Sequence, residues 1–152
     1  MIVYSFGVGG DIDFDLALIE RYGCTVHCFD PAPLSITFME RYKSNPHVVF
    51  IPRGIWIEDG PMKLFSNVDG RDVTNGSVTN LYGQKTFTTI ACQTIRSFMR
   101  ELGHTRIDVL KMDIEGAEAR AITGLARRLS AQLVDRIVLE LHPTYLREQG
   151  SS

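Results

Sequence analysis

Residues 2–10 read Ile-Val-Tyr-Ser-Phe-Gly-Val-Gly-Gly, and this stretch decides the fold. The first five of these residues are apolar or favour β-structure, which predicts a buried strand over Ile2–Phe6. Gly7, Gly9 and Gly10 then predict a sharp turn at which the backbone can approach a ligand closely. Because a helical pattern follows, a ligand at this turn would lie near a helix N-terminus.

The same order of elements continues along the chain. Asp11 and Asp13 are candidate N-caps for the helix after the turn, and Gly23 is a suitable residue to end it. Further strands are predicted over residues 25–29, 48–51, 85–92, 107–112 and 136–141. Further helices are predicted over 34–42, from the candidate N-cap Thr94 to about Leu102, and over 117–129. This alternation predicts an α/β fold with a Rossmann-like, doubly wound, mainly parallel sheet that carries helices on both faces.

The middle of the chain departs from that alternation. Residues 55–58 and 62–65 flank Asp59-Gly60-Pro61, which predicts a hairpin or a tight turn. Residues 67–83 are polar and rich in glycine. A loop of this length in a compact domain is typical of a functional segment, and we interpret it as a cover for an acceptor substrate.

Length and composition exclude several classes of protein. A chain of 152 residues predicts a single domain over residues 1–152. The net charge of -2, with scattered Lys and Arg, argues against a surface for duplex nucleic acid. Three cysteines without a Cys-x-x-Cys pair predict neither a disulfide framework nor a zinc site, and they are typical of a reducing compartment, so we expect a cytoplasmic location. No feature of the sequence requires a metal, although Asp113 and Glu115 are residues able to hold one. No apolar run reaches the roughly 18 residues of a membrane span.

The second predicted strand ends at Asp30, 23 positions after Gly7. At about this offset, adenosine-binding sheets place an acidic residue that accepts hydrogen bonds from the ribose hydroxyls. A dinucleotide fingerprint would need a third glycine at position 12, where this chain has Ile12. The carboxylates of Asp11 and Asp13 would repel a pyrophosphate but tolerate a cationic sulfonium, which favours S-adenosyl-L-methionine over a nicotinamide dinucleotide.

Residues 110–118 read Leu-Lys-Met-Asp-Ile-Glu-Gly-Ala-Glu and concentrate carboxylates after another predicted strand. Asp113 is a candidate to contact the methionyl amine or to orient a substrate hydroxyl. Glu115 and Glu118 are equally explained by the dipole of the helix that follows. Lys111 lies in an otherwise apolar strand, so we expect it to pair with a neighbouring carboxylate, because a lone buried ammonium is costly.

His142 follows the last predicted strand. A neutral imidazole there is able to take a proton from a nucleophilic hydroxyl group. Asp113 and His142 are therefore the two candidate catalytic bases.

Residues 3–31 and 110–118 together resemble the FkbM-type methyltransferase family, and the resemblance extends from Val3 to about His142. It implies a class I, Rossmann-like fold and transfer of a methyl group from S-adenosyl-L-methionine, typically to a hydroxyl oxygen of a small molecule or sugar. It implies that the three glycines line the methionine part of the cofactor, that Asp30 holds the ribose and that Asp113 lies beside the reacting centre. The full predicted cofactor-binding set is Phe6, Gly7, Val8, Gly9, Gly10, Asp30, Pro31 and Asp113.

The chain departs from the class I pattern in two ways. Ser5 occupies a position that is often acidic, and only ten residues follow His142, too few for the antiparallel strand pair that completes a seven-stranded sheet. We therefore expect a shortened sheet with an exposed edge, where a second copy can pair to form a homodimer. Two alternatives stay open: a nicotinamide-dependent oxidoreductase, and a nucleotide-binding Rossmann domain without catalytic activity.

Overall fold

The computed structural model describes residues 1–65, 78, 86–114, 121–123 and 133–140. In chain order the elements are β1 (Ile2–Phe6), α1 (Asp13–Tyr22), β2 (Thr25–Phe29), α2 (Pro33–Met39), a 3-10 helix (Glu40–Tyr42), β3 (Val48–Ile51), β4 (Gly54–Ile55), β5 (Gly60–Phe65), β6 (Phe87–Gln93), α3 (Ile95–Leu102), β7 (Ile107–Met112) and β8 (Val134–Leu139). Residues 121–123 are helical too, and the rest of the predicted helix over 117–129 lies outside the described residues. None of the helices in this part of the chain is long and apolar enough to cross a membrane.

The large sheet has the strand order β3-β2-β1-β7-β8, and every neighbouring pair is parallel. Side chains of α1 and α2 pack on one face of this sheet, and side chains of α3 pack on the other. The predicted Rossmann-like α/β fold is therefore confirmed. Among the described residues the large sheet has five strands and no antiparallel pair.

Strand β8 lies at one edge of the large sheet, with Ile137, Val138 and Leu139 exposed. An exposed apolar edge strand is a site where another chain can pair. The homodimer nevertheless stays a prediction, because nothing in the described part of the chain tests it.

The sequence of β1 determines how the two faces differ. Successive side chains of a strand point to opposite faces, so Val3 and Ser5 share one face while Tyr4 and Phe6 share the other. All four are at most 1% exposed, because helices cover both faces of β1. On the Tyr4 face, α3 buries an apolar stripe at helical spacing, and the hydroxyl oxygen of Thr94 caps its N-terminus by accepting a hydrogen bond from the Ser97 amide.

Of the two structures predicted for residues 55–65, the hairpin is wrong, because β4 and β5 do not pair with each other. In the small sheet, β6 lies between β4 and β5, parallel to the first and antiparallel to the second. The Asp59 carboxylate accepts hydrogen bonds from the Thr94 amide (2.7 Å) and the Ser97 hydroxyl (2.5 Å) at the start of α3. These bonds hold the connection near the end of β6, so β5 runs back along β6 instead of along β4.

The predicted N-caps of α1 are also wrong. The residue before the helix is Ile12, whose side chain makes no capping bond and is buried among apolar groups. Asp11 lies one position too early, and its carboxylate accepts a hydrogen bond from the Asp13 amide at 2.7 Å. Asp11 therefore stabilises the turn that enters the helix rather than the helix itself.

Candidate functional site

Three strands of the large sheet end side by side. The Gly7 amide donates to the Phe29 carbonyl oxygen at the end of β2, and the Asp113 amide donates to the Phe6 carbonyl oxygen at the end of β1, both at 3.0 Å. The segments after β1, β2 and β7 are thereby fixed next to one another at the carboxyl edge of the sheet. Ligands of open α/β sheets bind at this edge, at the point where the order of strands reverses.

The segment that follows β1, residues 7–10, is called the glycine loop below. Gly7 has a φ angle of +81°, and a Cβ atom there would lie 1.6 Å from the carbonyl oxygen of Asp113. Only glycine fits at this position, because any side chain would collide with the backbone after β7. The close contact brings the two most distinctive segments of the sequence together.

Asp30 connects the end of β2 to the glycine loop. Its Oδ2 atom accepts hydrogen bonds from the amides of Val8 (2.9 Å) and Gly9 (3.0 Å), and its Oδ1 atom accepts one from the Ala32 amide (2.8 Å). The residue is 7% exposed. A carboxylate has about four acceptor positions, so three bonds to the backbone leave room for about one more. Asp30 therefore shapes the loop, a role that the sequence did not indicate.

A cavity opens between the large sheet and the small one. Its described lining residues are Phe6, Gly7, Val8, Gly9, Gly10, Phe29, Asp30, Pro31, Ala32, Gly54, Ile55, Leu64, Val78, Ile90, Asp113 and Ile114. The small sheet supplies an apolar wall of this cavity, formed by Ile55, Leu64 and Ile90. Gly54 allows this wall to lie close to Pro31, because a Cβ atom at Gly54 would lie 3.3 Å from the Pro31 ring and 2.9 Å from the Cys92 sulfur.

The charged residues among the described lining of the cavity are all of one sign. Among its described lining residues, Asp30 and Asp113 are acidic and none is basic. Such a lining attracts a cation and repels a pyrophosphate. Within the described ranges, no group of three or more His, Cys, Asp or Glu side chains is placed to hold a metal ion.

All eight residues of the predicted cofactor-binding set line this one cavity. Of the two candidate bases, Asp113 lies at the cavity, whereas His142 lies outside the described residues. Glu115 and Glu118 lie outside them too, and so does the predicted loop over 67–83, except for Val78.

Sequence reasoning missed the apolar wall. Its members Ile55, Leu64 and Ile90 belong to strands of the small sheet, whose pairing was predicted incorrectly. Only Gly54 carried a signal that could have been read, because a glycine directly before a short apolar strand suggests a close approach of backbone.

The chain matches the family model described as "Methyltransferase FkbM domain" over residues 4–151. It is 26% identical over 141 residues to the probable methyltransferase-like protein 24 of Homo sapiens. It is 25% identical over 144 residues to the protein of the same name from Rattus norvegicus. Each alignment covers 92% of this chain and 32% of the relative, so the chain spans about a third of the length of these proteins.

A solved structure supports the same grouping at the level of the fold. The crystal structure of methyltransferase FkbM from Methylobacillus flagellatus KT matches with a TM-score of 0.51 and 17% sequence identity, covering 82% of this chain and 28% of that one. Because the family model matches residues 4–151, nearly the whole chain, the chain belongs to the FkbM methyltransferase family.

Proposed function

We propose that the chain binds S-adenosyl-L-methionine at the glycine loop and transfers its methyl group to a hydroxyl oxygen of a small molecule or sugar. The observation that carries the proposal is the cavity at the carboxyl edge, lined by two carboxylates and by no basic side chain among its described residues. A sulfonium nucleoside with an amino group suits this charge, whereas the pyrophosphate of a nicotinamide dinucleotide does not.

The glycine loop fits the methionine part of such a cofactor. A Cβ atom added at Gly9 or Gly10 would have no heavy atom within 4 Å, so open space lies beside the backbone there. Asp30, with room for about one further hydrogen bond, would accept a bond from a ribose hydroxyl. Phe6, Val8 and Pro31 would complete the contacts from the ends of β1 and β2.

The bound cofactor would supply an electrophilic methyl group on a sulfonium sulfur, which becomes a thioether when the methyl leaves. The acceptor hydroxyl forms its new oxygen–carbon bond as it loses its proton. Asp113 would take this proton, because it lies at the cavity next to Gly7. His142 is the second candidate base. The apolar wall would exclude water and align the acceptor, and alignment supplies much of the rate of such a displacement.

Isothermal calorimetry tests the binding step. We expect S-adenosylhomocysteine to bind with micromolar affinity and NAD to show no measurable heat. Asp30→Ala should weaken binding at least 100-fold, because the loop loses its anchor. Asp13→Asn is the matched control and should bind as the wild type does, because Asp13 is exposed and is not among the described residues that line the cavity. Binding of NAD in preference to S-adenosylhomocysteine would contradict the proposal.

An acceptor screen tests the transfer step. Sugars and small hydroxylated compounds are incubated with methyl-labelled S-adenosyl-L-methionine, and transferred label is detected by mass spectrometry. We expect transfer to a hydroxyl oxygen, and we expect Asp113→Asn to reduce turnover more than it reduces cofactor affinity. Tight binding without transfer to any acceptor would favour the alternative of a nucleotide-binding domain without catalytic activity.

A further inference from the structure

A buried polar cluster lies on the face of the large sheet that α1 covers, beside the start of the glycine loop. It consists of Ser5 on β1, Lys111 on β7 and Asp15 on α1. The register of the sheet pairs Ser5 with Lys111, so both side chains point to the face that α1 covers. Asp15 and Ser5 are fully buried, and Lys111 is partly buried.

Lys111 is the member of this cluster that contacts the loop. Its ammonium donates a hydrogen bond to the carbonyl oxygen of Gly7 at 3.3 Å. The amide of Gly7 is already bound to the Phe29 carbonyl, and Asp30 holds the next two amides. The loop is therefore held by a carboxylate on its amide side and by an ammonium on its carbonyl side.

Asp15 is the unusual member. Neither of its carboxylate oxygens has a hydrogen-bond partner within the described part of the chain, although both are buried. Burial raises the pKa of this carboxyl group, and the positive charge of Lys111 opposes that rise. The Ser5 hydroxyl also favours the carboxylate by proximity, but it lies outside hydrogen-bonding geometry.

A buried carboxyl group without hydrogen bonds is unfavourable for folding, so its presence calls for another explanation. A lysine side chain ordinarily extends its ammonium into water. The negative charge of Asp15 on the α1 face attracts the ammonium of Lys111 away from water and toward the position at which it reaches the Gly7 carbonyl oxygen. The class I pattern often has an acidic residue at the position that Ser5 occupies here. Asp15 places a carboxyl group on the same face of the sheet as Ser5.

We propose that Lys111 and Asp15 are positioning residues that hold the glycine loop, from the α1 face of the sheet, in the geometry that receives the cofactor. Lys111 fixes the Gly7 carbonyl, and Asp15 keeps the ammonium of Lys111 at that carbonyl. This inference rests on the proposed function, because the loop is taken to be the cofactor site.

The first test follows the loop itself in the ligand-free protein. Backbone amide signals of residues 7–10 are compared by NMR between the wild type, Lys111→Met, Lys111→Arg and Asp15→Asn. We expect Lys111→Met and Asp15→Asn to displace these signals, and Lys111→Arg to restore them in large part. The matched controls Lys43→Met and Asp13→Asn change exposed charges and should leave the signals in place. Unchanged loop signals in the folded Asp15→Asn and Lys111→Met proteins would overturn the inference.

The second test measures affinity together with stability. We expect Lys111→Met and Asp15→Asn each to weaken S-adenosylhomocysteine about tenfold, while Asp15→Asn melts no lower than the wild type because it removes a buried carboxyl. The double variant should bind no more weakly than Lys111→Met alone, because both residues act through one contact. Wild-type affinity in both single variants, or strictly additive losses in the double variant, would contradict the inference. Failure of the wild type to bind would instead reject the proposed function, and the loop signals would still decide the positioning role.

Discussion

The two faces of the large sheet differ in chemistry although both are buried. On the α3 face, Tyr4, Phe6, Phe29 and Phe98 form an aromatic cluster in which the Phe6 and Phe29 rings stack at 4.3 Å between centroids. On the α1 face, directly behind the same strand, lies the polar cluster of Ser5, Asp15 and Lys111. The comparison teaches that adjacent residues of β1 serve different ends, since the aromatic face supplies stability and the polar face supports the glycine loop.

The aromatic face also contains two histidines. The Tyr4 hydroxyl is hydrogen-bonded to His104 Nδ1 at 2.9 Å, and the His27 and His104 rings lie 4.8 Å apart. Burial lowers the pKa of both imidazoles, and the charge of His104 lowers that of His27 further. The two faces should therefore respond to acid in opposite directions, because the polar face contains a carboxyl group whose pKa is raised.

The largest expected effect is the loss of an aromatic ring from the α3 face. Phe98→Ala should lower the free energy of unfolding by about 3–5 kcal/mol, because the Phe98 side chain on α3 is fully buried against the stacked rings of Phe6 and Phe29. Chemical denaturation measures this loss of unfolding free energy. Phe14→Ala is the matched control, because Phe14 is 41% exposed. A loss below about 1 kcal/mol at Phe98 would break the assignment of stability to this face.

Asp30→Ala should have the next largest effect. Three backbone amides would lose their acceptor, which corresponds to about 2–3 kcal/mol of unfolding free energy at roughly 1 kcal/mol for each bond. Asp30→Asn keeps one acceptor oxygen and should lose less. Equal stability of the alanine variant and the wild type would show that Asp30 does not anchor the loop.

Acidification should destabilise the protein through the histidine pair. Because the folded state holds both imidazoles at a lowered pKa, the unfolded chain binds protons first as the pH falls through about 6.5. Their contribution is complete above that pH and declines below it, by at most about 1.4 kcal/mol per pH unit for each histidine. Melting curves between pH 7.5 and 5.5 measure the decline, and His104→Gln should make it shallower. An unchanged slope in that variant would contradict the role of the pair.

The smallest effect belongs to Asp15 and has the opposite sign. Burial raises the pKa of Asp15, so the folded state binds this proton more tightly than the unfolded chain does. The resulting contribution to stability is present below the unfolded pKa and is lost as the pH rises through the folded value. Asp15→Asn should therefore gain about 0.5–1 kcal/mol at pH 7.5 and less at pH 4.5. If the stability gain of Asp15→Asn grew as the pH fell, the prediction that the two faces respond to acid in opposite directions would be wrong.

The sequence predicted what depends on neighbours along the chain. The apolar run of β1, the turn at Gly7 and the N-cap at Thr94 are local features, and each was found in its predicted place. The offset between Gly7 and Asp30 also located one side of the cavity, because parallel strands end at a common edge.

Contacts between distant residues were beyond such reasoning. His27 and His104 meet only because β2 and the end of α3 pack on one face, and neither had a partner that the sequence could name. Asp15 carried a readable signal, since it lies four positions before Ile19, on the side of α1 that packs against the sheet. The hairpin prediction failed because the connection at Asp59 is held by α3, more than 30 positions later.

The most direct measurement is an NMR titration of the wild type with S-adenosylhomocysteine, followed through the backbone amides. The account predicts that saturating ligand displaces the signals of Gly7, Gly9, Gly10 and Ala32, with those of Asp113 and Ile114, while signals at the far end of the sheet stay in place. Displacement confined to other surfaces, or no displacement at millimolar ligand, would contradict the claim that the glycine loop and Asp30 form a cofactor site.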